Sequence, residues 1–514
     1  MAPDTILPVF IALPLIVAAI TAISPSRALN SALGLIIPAV NLAGGIWLYA
    51  HTAEHGTIGH VIGLYPGGAG IALGADQFSA IMLITTMLVA LVSNWFAIIS
   101  GETHARYYTP LSLVLLTGVS GALLTADLFN FFVMIEVMLL PSYGLIAMTG
   151  TRHRLQSARL FVLVNLSAST FLLIGVGFVY AVAGAVNIGA LKGAAAGNGP
   201  VTVAMGIVVI AVCAKAAVFP LHTWLPRTYT STSAAVMGLF SGLHTKVAVY
   251  MLFRIWVVIF DMDPRWNWLI IVVMIISMLV GAYAGLAEPT IREVLGYQMV
   301  NGMPFILVML AFTTVEGDGS AARYALAAGL MYTLHHMITI GALTLNSGAI
   351  EETYGTGTIS KLSGLARRDS VTAAVFAAGA FSVIGFPPFS GLWGKLSLVF
   401  AAARPGDLTS WVVIAAIIIA SFGAMLAMFR VWREVFWGKP MQRFPENLKV
   451  RPALVAPSLS LMLISLGMFI AAGPLWGAAT DSVDALLDVP SYSSAVLGDE
   501  PIGVPDTTTL QGGQ

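Results

Sequence analysis

The chain has 514 residues, of which 58% are hydrophobic and only 9% are charged, and its formal net charge at pH 7 is zero. Soluble domains carry about 25% charged residues, so this composition is typical of a protein that crosses a membrane many times. The neutral balance excludes a basic nucleic-acid surface, and the single cysteine, Cys213, excludes an internal disulfide framework and any multi-cysteine metal or iron–sulfur site. We therefore expect no metal, no cofactor and no nucleic-acid partner.

Apolar runs of about 20 residues recur along almost the whole chain and predict about 14 transmembrane helices. The runs are continuous rather than alternating, and every backbone group must be satisfied within lipid, so the expected fold class is an all-α polytopic membrane protein. The predicted spans are 5–23, 29–49, 78–100, 109–126, 128–149, 158–183, 200–219, 233–257, 266–287, 294–315, 321–346, 371–400, 409–433 and 453–475.

The loops between these spans indicate the topology. The first span has no basic segment before it and is interpreted as a retained helix rather than a signal peptide. Basic residues collect on the loops of one face, for example within 152–159 and 439–451, which predicts that face to be cytoplasmic and both termini to lie outside. The longest predicted non-spanning segments are 50–77 and an acidic tail, 481–514. Arg254 is assigned to an outer loop, and Asp76 and Asp127 are interpreted as exposed helix caps.

Arginines near the ends of predicted spans are assigned to the adjoining loops, which leaves four charged residues within spans: Glu136, Lys215, Lys246 and Lys395. A charge at the bilayer centre costs roughly 3 to 17 kcal/mol, so such residues are usually functional. Lys215 and Lys246 are the candidate partners of Glu136, and a contact at about 4 Å would be worth on the order of 4 kcal/mol, so breaking it could switch a lysine between charged and neutral forms. The alternatives are a static pair that fixes packing, or lysines that extend toward the interface at positions 246 and 395.

Proline breaks two of the spans in a similar way. The segment FPLHTWL begins at Phe219 in the seventh predicted helix, and FPPFSGLW begins at Phe386 in the twelfth. An offset of five helices reverses the orientation in the membrane, as expected for inverted repeats whose broken helices lie near ion sites. Each proline alone could equally be a simple kink.

Histidines extend the series of ionisable residues. His244 lies two residues before Lys246, whereas His335 and His336 lie in the middle of the eleventh predicted span. Imidazole both accepts and donates protons near neutral pH, so His335, followed by His336 and His244, is a candidate proton relay. His222, in the first broken segment, could line an access path or cap a helix. The alternative for each is a hydrogen-bonded packing residue.

Three segments together resemble a known family. They are DLFNFFVMIEVMLLPSYGLIAMTGTRHRLQ, AKAAVFPLHTWLPRTYTSTSAAVMGLFSGLHTKVAVY and GFPPFSGLWGKL. They are similar to the antiporter-like subunits of Mrp-type multi-subunit sodium/proton antiporters and of the membrane arm of complex I, over roughly residues 75–437. The first segment is most similar to the D-type Mrp subunits.

The resemblance implies two inverted five-helix repeats, helices 4–8 and 9–13. The chain would then divide into N-terminal helices 1–3 with an outer loop (1–108), a first repeat (109–257), a second repeat (258–437), and helix 14 with the acidic tail (438–514). It also implies a polar axis in which the family's essential glutamate falls on Glu136 and its lysines on Lys215, Lys246 and Lys395. One departure is Ile340, where relatives commonly carry a lysine after the histidines.

The expected function is therefore that of a proton-translocating subunit in a multi-subunit Na⁺/H⁺ antiporter of a bacterial cell membrane. It would be a secondary transporter rather than an enzyme, with other membrane subunits, protons, Na⁺ and the lipid bilayer as its partners. The alternative is a proton-pumping membrane subunit of a complex I-like NADH:quinone oxidoreductase or a related hydrogenase. A stand-alone transporter or an assembly scaffold is a third interpretation.

Overall fold

The computed structural model describes residues 3–148, 150–314, 320–439, 441, 443–445 and 447–498, which are mostly helical. A two-stranded hairpin consists of β1 (Ile58–Val61) and β2 (Ala72–Ala75). The helices are α1 (Val9–Ile23), α2 (Arg27–His55), α3 (Gln77–Ser100), α4 (Tyr108–Leu124), α5 (Leu128–Ala147), α6 (Arg152–Ala183), α7 (Ala194–Gly197), α8 (Gly199–Lys215), α9 (Trp224–Tyr229), α10 (Ala234–Arg254), α11 (Asn267–Ala284), α12 (Ile291–Leu307), α13 (Ala321–Tyr354), α14 (Leu365–Arg368), α15 (Ser370–Ile384), α16 (Gly391–Ala403), α17 (Leu408–Val431), α18 (Pro452–Ile470), α19 (Ala472–Leu487) and α20 (Val489–Leu497).

Within the described residues, 11 helices are long and apolar enough to cross a membrane, and four further apolar helices are shorter, namely α4, α8, α15 and α16. This confirms a helical protein with many membrane spans. Each predicted span coincides with helical structure, but the predicted span 371–400 is two helices, α15 and α16. Helix α8 likewise ends at Lys215, and the short α9 follows after a turn. Both interruptions contain proline, which cannot donate the backbone hydrogen bond of a continuous helix.

The centre of the protein is formed by three helices that are almost completely enclosed, α10, α12 and α13. At 1.5 Å per residue, the 34 residues of α13 give a length of about 51 Å, longer than a hydrocarbon core. Helices α3, α10, α12, α15, α16, α18 and α19 all pack against it. Peripheral helices expose large apolar side chains such as Ile36 and Trp268, as expected of surfaces that face lipid. Polar groups on α10 and α13 are therefore held away from both lipid and water.

The β-hairpin and α20 close one end of the protein, which we call the hairpin end. Strands β1 and β2 are antiparallel, with Ile58 opposite Ala75. Helix α20 packs so closely on this hairpin that a Cβ at Gly59 or Gly67 would overlap backbone atoms of Ala495 or Leu497. The first part of the predicted acidic tail is not extended, since residues 481–497 are largely helical. The rest of that tail, residues 499–514, lies outside the described residues.

A buried ion pair at the hairpin end corrects two sequence-based assignments. Arg254 does not lie in an exposed loop but ends α10, and its guanidinium donates to both carboxylate oxygens of Asp76 at 2.7 and 3.0 Å. Each residue is only 1% exposed. Asp76 does cap α3, accepting from the Ser79 N–H at 2.8 Å, but it is not an exposed cap. Burial acts to raise the pKa of Asp76, yet Arg254 and Ser79 hold it below the ordinary value.

Asp127 at the same end is also a buried cap rather than an exposed one. Its Oδ1 accepts from the Asn130 N–H at 2.7 Å, at the start of α5. Burial raises the pKa of this carboxyl to about 6, while its backbone hydrogen bonds act in the opposite direction. Hydropathy placed both aspartates at helix ends correctly, but it carried no information on the strands and on α20 that cover this end.

Candidate functional site

The eight predicted site residues lie on the elements around the enclosed centre. Seven of them are at least nine-tenths buried, whereas Glu136 on α5 is partly exposed. The seven are Lys215 at the end of α8, His222 in the turn before α9, His244 and Lys246 on α10, His335 and His336 on α13, and Lys395 on α16. Burial of so many ionisable side chains in an apolar protein is costly unless they serve a function.

Glu136 and Lys215 do not form a direct ion pair in the part of the chain that the structure describes. The Lys215 ammonium donates instead to Ser169 Oγ on α6 at 2.9 Å. Glu136 Oε1 is buried and has no hydrogen-bond partner among the described residues. The carboxylate nevertheless acts electrostatically on Lys215. The geometry is that of a separated pair, in which the lysine is held by a neutral hydroxyl.

His244 is held by hydroxyl groups on both of its ring nitrogens. Its Nε2 lies 2.9 Å from Ser142 Oγ on α5, and its Nδ1 lies 2.8 Å from the hydroxyl of Tyr229 on α9. The Ser142 hydroxyl already donates to the Met138 carbonyl at 2.7 Å, so it accepts from the Nε2–H of His244, and the Tyr229 hydroxyl donates to Nδ1. Both ring nitrogens of the neutral imidazole are therefore hydrogen-bonded. Lys215 is the charged group that acts on this ring.

Lys246, two residues further along α10, has only weak partners. Its ammonium lies 3.3 Å from Thr245 Oγ1 and 3.8 Å from the thioether of Met303 on α12, and the side chain is 1% exposed. Neither partner is a carboxylate. The charge of this ammonium is therefore left with little compensation among the described residues.

His336 lies on α13 within electrostatic range of Lys246 on α10. Its Nε2 lies 3.3 Å from the carbonyl oxygen of Gln298 on α12, and Lys246 acts on the ring electrostatically. The helices approach closely here, since a Cβ at Gly302 would overlap the imidazole. The Nδ1 atom of His336 has no partner within the described ranges, and the same is true of Asn301 Oδ1. Hydrogen-bonding capacity is therefore left between α12 and α13.

His335 faces the opposite side, toward the interruption between α15 and α16. Its Nδ1 lies 2.9 Å from the hydroxyl of Ser390. Lys395 acts electrostatically on the rings of both His335 and His336. Two histidines adjacent in sequence thus point toward different lysines, Lys246 on one side and Lys395 on the other.

Lys395 is bound within the second helix interruption. Its ammonium donates to the Ile384 carbonyl at 3.0 Å, the last residue of α15, and to Ser421 Oγ on α17 at 2.7 Å. It also lies 5.0 Å from the ring centroid of Phe305, a cation–π contact. Interruption of the helix supplies the free carbonyl, because no residue one turn later donates to it. Lys395 therefore does not extend to an interface, and its 8% exposure excludes that alternative.

His222 stands apart from the other imidazoles. It stacks on Phe219 with ring centroids 5.8 Å apart, and its Nδ1 has no partner among the described residues.

The other seven site residues form a series. Its order is Glu136, Lys215, His244, Lys246, His336, His335 and Lys395. Each is linked to the next along α5, α8, α10, α13 and α16 by electrostatic influence or by position on one helix.

The hydroxyl partners of the site were not identified from the sequence. Four of them, Ser142, Ser169, Tyr229 and Ser390, each contact a predicted residue, but hydroxyl side chains are frequent in transmembrane helices. Sequence position alone does not distinguish them from the others. Within the described ranges, no group of three or more His, Cys, Asp and Glu residues could hold a metal ion.

The chain is similar in sequence to known transport proteins. A family model described as "NADH:quinone oxidoreductase/Mrp antiporter, TM" matches residues 125–426. The D subunit of the Na(+)/H(+) antiporter of Alkalihalophilus pseudofirmus is 32% identical over 460 residues, which cover 88% of this chain and 91% of that protein. The protein of the same name from Bacillus subtilis is 30% identical, and the match covers 83% of this chain and 86% of that one.

Solved structures show the same similarity. A chain of the Mrp complex from Dietzia sp. DQ12-45-1b superposes with a TM-score of 0.92 at 36% identity, over 97% of this chain and 100% of that one. A chain of respiratory complex I from Thermus thermophilus with bound NADH superposes with a TM-score of 0.79 at 20% identity, over 94% of this chain and 99% of that one. At 20% identity the second comparison supports a shared fold only.

Proposed function

The chain belongs to the NADH:quinone oxidoreductase/Mrp antiporter membrane family, and on that premise we propose that it is the D-type, proton-translocating subunit of a multi-subunit Na⁺/H⁺ antiporter. The observation that carries the proposal is the series of ionisable residues from Glu136 to Lys395 around the enclosed centre of the protein, all of them buried except Glu136. The chain acts as part of a secondary transporter and not as an enzyme.

We propose a finer architecture of 14 spans with two inverted repeats. Helices α15 and α16 together count as one interrupted span, and α8 with α9 counts as another. The first repeat then runs from α4 to α10 and the second from α11 to α17. Two observations support this architecture. The two interruptions fall at the matching FPLHTWL and FPPFSGLW segments, five spans apart. Each interruption also adjoins a buried lysine, Lys215 at the end of α8 and Lys395 in α16.

In the proposed pathway, protons pass from Lys246 through His336 and His335 to Lys395. Lys246 has no carboxylate partner among the described residues, so it can give up a proton to the imidazole of His336, which Lys246 influences directly. His335 then passes a proton toward Lys395. His244 links Lys215 to this path through its two hydroxyl contacts, and His222 lies near the turn by which protons could reach the first half.

Coupling is proposed to depend on the Glu136–Lys215 pair. In this structure the pair is open, with Lys215 on Ser169. Closing it would stabilise the charged lysine by a Coulomb term on the order of 4 kcal/mol at 4 Å and an effective dielectric of 20. That is enough to alter protonation of neighbouring groups, so cation movement elsewhere in the assembly could drive proton movement through this chain.

The proposed partners are the other membrane subunits of the antiporter, together with protons, Na⁺ and lipid. The proposed location is a bacterial cell membrane, with both termini outside. This orientation places the hairpin end outside and the basic loops near Arg152 and Arg451 in the cytoplasm, as the distribution of basic residues favours.

Sodium-dependent proton movement in membrane vesicles tests the proposal. Inverted vesicles carrying the complete assembly would be given a sodium pulse, and the internal pH would be followed with a fluorescent dye. Lys215→Ala and Glu136→Ala are each expected to reduce the initial rate at least tenfold. Lys192→Ala, which removes an exposed lysine before α8, is the matched control and is expected to leave the rate unchanged. Normal exchange by fully assembled Lys215→Ala protein would contradict the proposal.

The alternative, a component of a redox-driven proton pump, rests on the fold that complex I shares. The sequence similarity to antiporter proteins favours the antiporter. Purification of the native assembly separates the two functions. Small membrane partners without flavin or iron–sulfur proteins are expected, and a bound peripheral redox arm would support the alternative.

A further inference from the structure

A concave site with positive charge lies between the beginnings of α15 and α18. It is a cavity of about 440 Å³, and we call it the basic groove. Two cations, Arg368 and Lys449, line the groove just before the two helices begin. Apolar side chains further along the helices line it as well, including Val371, Val455 and Leu459. Val371 is 55% exposed and Leu459 is 36% exposed, so the groove combines cations with open apolar surface.

Hydrogen bonds to the start of α15 fix the backbone on both sides of Lys449. On one side, Arg368 Nε donates to the carbonyl of Leu448 at 2.7 Å. On the other side, the N–H of Val450 donates to Oδ1 of Asp369 at 2.8 Å. The side chain of Lys449 between these two bonds is exposed. The fold therefore sets the position of this lysine at the groove.

The side chains of the basic groove carry more positive than negative charge. The carboxylate that lines it in the described part of the chain is that of Asp369, which is 7% exposed. Both of its oxygens already accept hydrogen bonds, from the Val450 N–H and from the Tyr354 hydroxyl. One carboxylate thus stands against two side-chain cations, Arg368 and Lys449.

The two helix ends add to this positive charge. Helices α15 and α18 each begin without a side-chain cap and without an acidic residue in the first turn. The N-terminus of a helix carries a partial charge of about +0.5. Arg368 also has a buried nitrogen, Nη2, with no hydrogen-bond partner among the described residues. A buried donor without a partner is costly, so the groove favours an anionic occupant with oxygen acceptors.

The apolar part of the groove extends from the membrane surface into the hydrocarbon. The rise from Pro452 to Leu459 along α18 is about 10 Å, compared with about 15 Å for half of a hydrocarbon core. The proposed orientation places the beginnings of both helices on the cytoplasmic side. Free phosphate would leave Val371 and Leu459 uncovered. An apolar helix of another subunit would leave Arg368 and Lys449 without a counter-charge, whereas an acidic phospholipid satisfies both parts of the groove.

We propose that the basic groove binds one anionic phospholipid of the cytoplasmic leaflet, with its phosphate beside Arg368 and Lys449. One acyl chain lies along Val371 and Leu459. Basic sites between transmembrane helices on the cytoplasmic side suit acidic headgroups. A zwitterionic lipid brings a positive group together with its phosphate, so the charge of the groove favours a lipid such as phosphatidylglycerol. Binding here requires the proposed orientation but not proton transport, so its failure is distinguishable from failure of the proposed function.

Photo-crosslinking in the purified, complete assembly tests the site directly. The assembly would be reconstituted into phosphatidylcholine nanodiscs that contain a small fraction of phosphatidylglycerol with a diazirine in one acyl chain. After illumination, mass spectrometry of peptides measures the labelling of residues 452–463. Phosphatidylglycerol is expected to label this segment at least about fivefold more than phosphatidylcholine with the same photoreactive chain. Excess inorganic phosphate is expected to leave the labelling unchanged.

Three outcomes of this experiment would overturn the inference. Equal labelling by the two lipids would show that the cations do not select the headgroup. Loss of labelling in phosphate would identify a site for a free anion. Absence of lipid labelling would show that another subunit fills the groove.

Two pairs of variants separate the contributions of the headgroup and the chain. Lys449→Gln is expected to bring labelling by the two lipids within about twofold of each other, because a cation at the groove is lost. Lys439→Gln removes an exposed lysine outside the groove and should preserve the difference. Val371→Trp is expected to reduce labelling by both lipids several-fold by filling the apolar part, whereas Val412→Trp, at an exposed valine of α17, should not. The same result for either variant and its control would contradict the proposal.

Discussion

Replacing Asp76 by asparagine is expected to destabilise the hairpin end strongly, because Arg254 would remain charged and buried without a carboxylate partner. Both side chains are 1% exposed, and the guanidinium binds both oxygens of the carboxylate. Tyr492 covers the guanidinium, with its ring centroid 4.4 Å away, so water has little access. Removing one partner of such a buried pair costs about 3–5 kcal/mol. Asparagine still offers an oxygen to the Ser79 N–H, so the helix cap is largely retained.

A second ion pair in the chain provides a matched control. Arg323 binds both oxygens of Asp484 at 2.7 Å, in the same bidentate geometry, but these side chains are 40% and 48% exposed. An exposed pair contributes only about 0–1 kcal/mol, because water screens both charges. The change in Asp484→Asn has the same chemistry as Asp76→Asn and differs mainly in burial. The two variants should therefore differ by at least about 2 kcal/mol.

Backbone hydrogen exchange in the purified assembly measures this difference locally. The amides of the first turn of α3, including Ser79, are expected to exchange about 10²- to 10³-fold faster in Asp76→Asn, which corresponds to about 3–4 kcal/mol of opening free energy. The same amides in Asp484→Asn should change less than about tenfold. A double variant, Asp76→Leu with Arg254→Met, is expected to recover much of the lost protection, because it removes both charges. Equal exchange in the two single variants would refute the desolvation argument.

Two further predictions concern the site and the pH dependence of stability. Gly302→Ala is expected to reduce transport at least several-fold, because the added Cβ would overlap the His336 ring. Gly206→Ala is the control and should leave transport unchanged, because no atom lies within 4 Å of its added Cβ. Equal transport rates in the two variants would contradict the packing argument. Asp127→Asn is expected to make the free energy of unfolding less dependent on pH. The carboxyl of the folded protein has a pKa raised to about 6, so between about pH 3.8 and pH 6 it keeps a proton that the unfolded chain releases. The folded state of the unaltered protein therefore loses at most about 3 kcal/mol of stability as the pH rises through this range, and asparagine removes that loss. Unfolding midpoints of both proteins at pH 4 and pH 7.5 measure this effect, and a parallel pH dependence would contradict it.

The helices were predictable from the sequence because their signal is local. A run of about 20 apolar residues must cross the bilayer whatever lies beside it, so the predicted spans coincide with helices. The charged residues inside these spans were equally visible, because Lys215, Lys246 and Lys395 stand alone in apolar surroundings. Helix interruption was indicated by proline, and the predicted break at FPPFSGLW coincides with the separation of α15 from α16.

Contacts between distant segments were not predictable in this way. Asp76 and Arg254 are separated by 178 positions, and Arg254 was assigned to a loop because charge at the end of an apolar run usually marks an interface. The cover provided by α20 was missed because its 9 residues are amphipathic and short. Ser465 on α18 was missed because a serine in an apolar helix is ordinary, and only the folded structure brings its hydroxyl within 2.8 Å of the Ser390 hydroxyl.

The isoleucine at position 340 gives the histidine pair a larger part in the proposed pathway. Ile340 lies one turn after His336 on α13 and is 1% exposed, so no ammonium is available where the family resemblance led us to expect a lysine. The link between Lys246 and Lys395 must then use groups already present: Lys246 acts electrostatically on His336, and Lys395 acts on both histidines. Imidazole can accept a proton on one nitrogen while it donates from the other, which a lysine cannot do. A chain without the central lysine therefore depends more strongly on its two adjacent histidines.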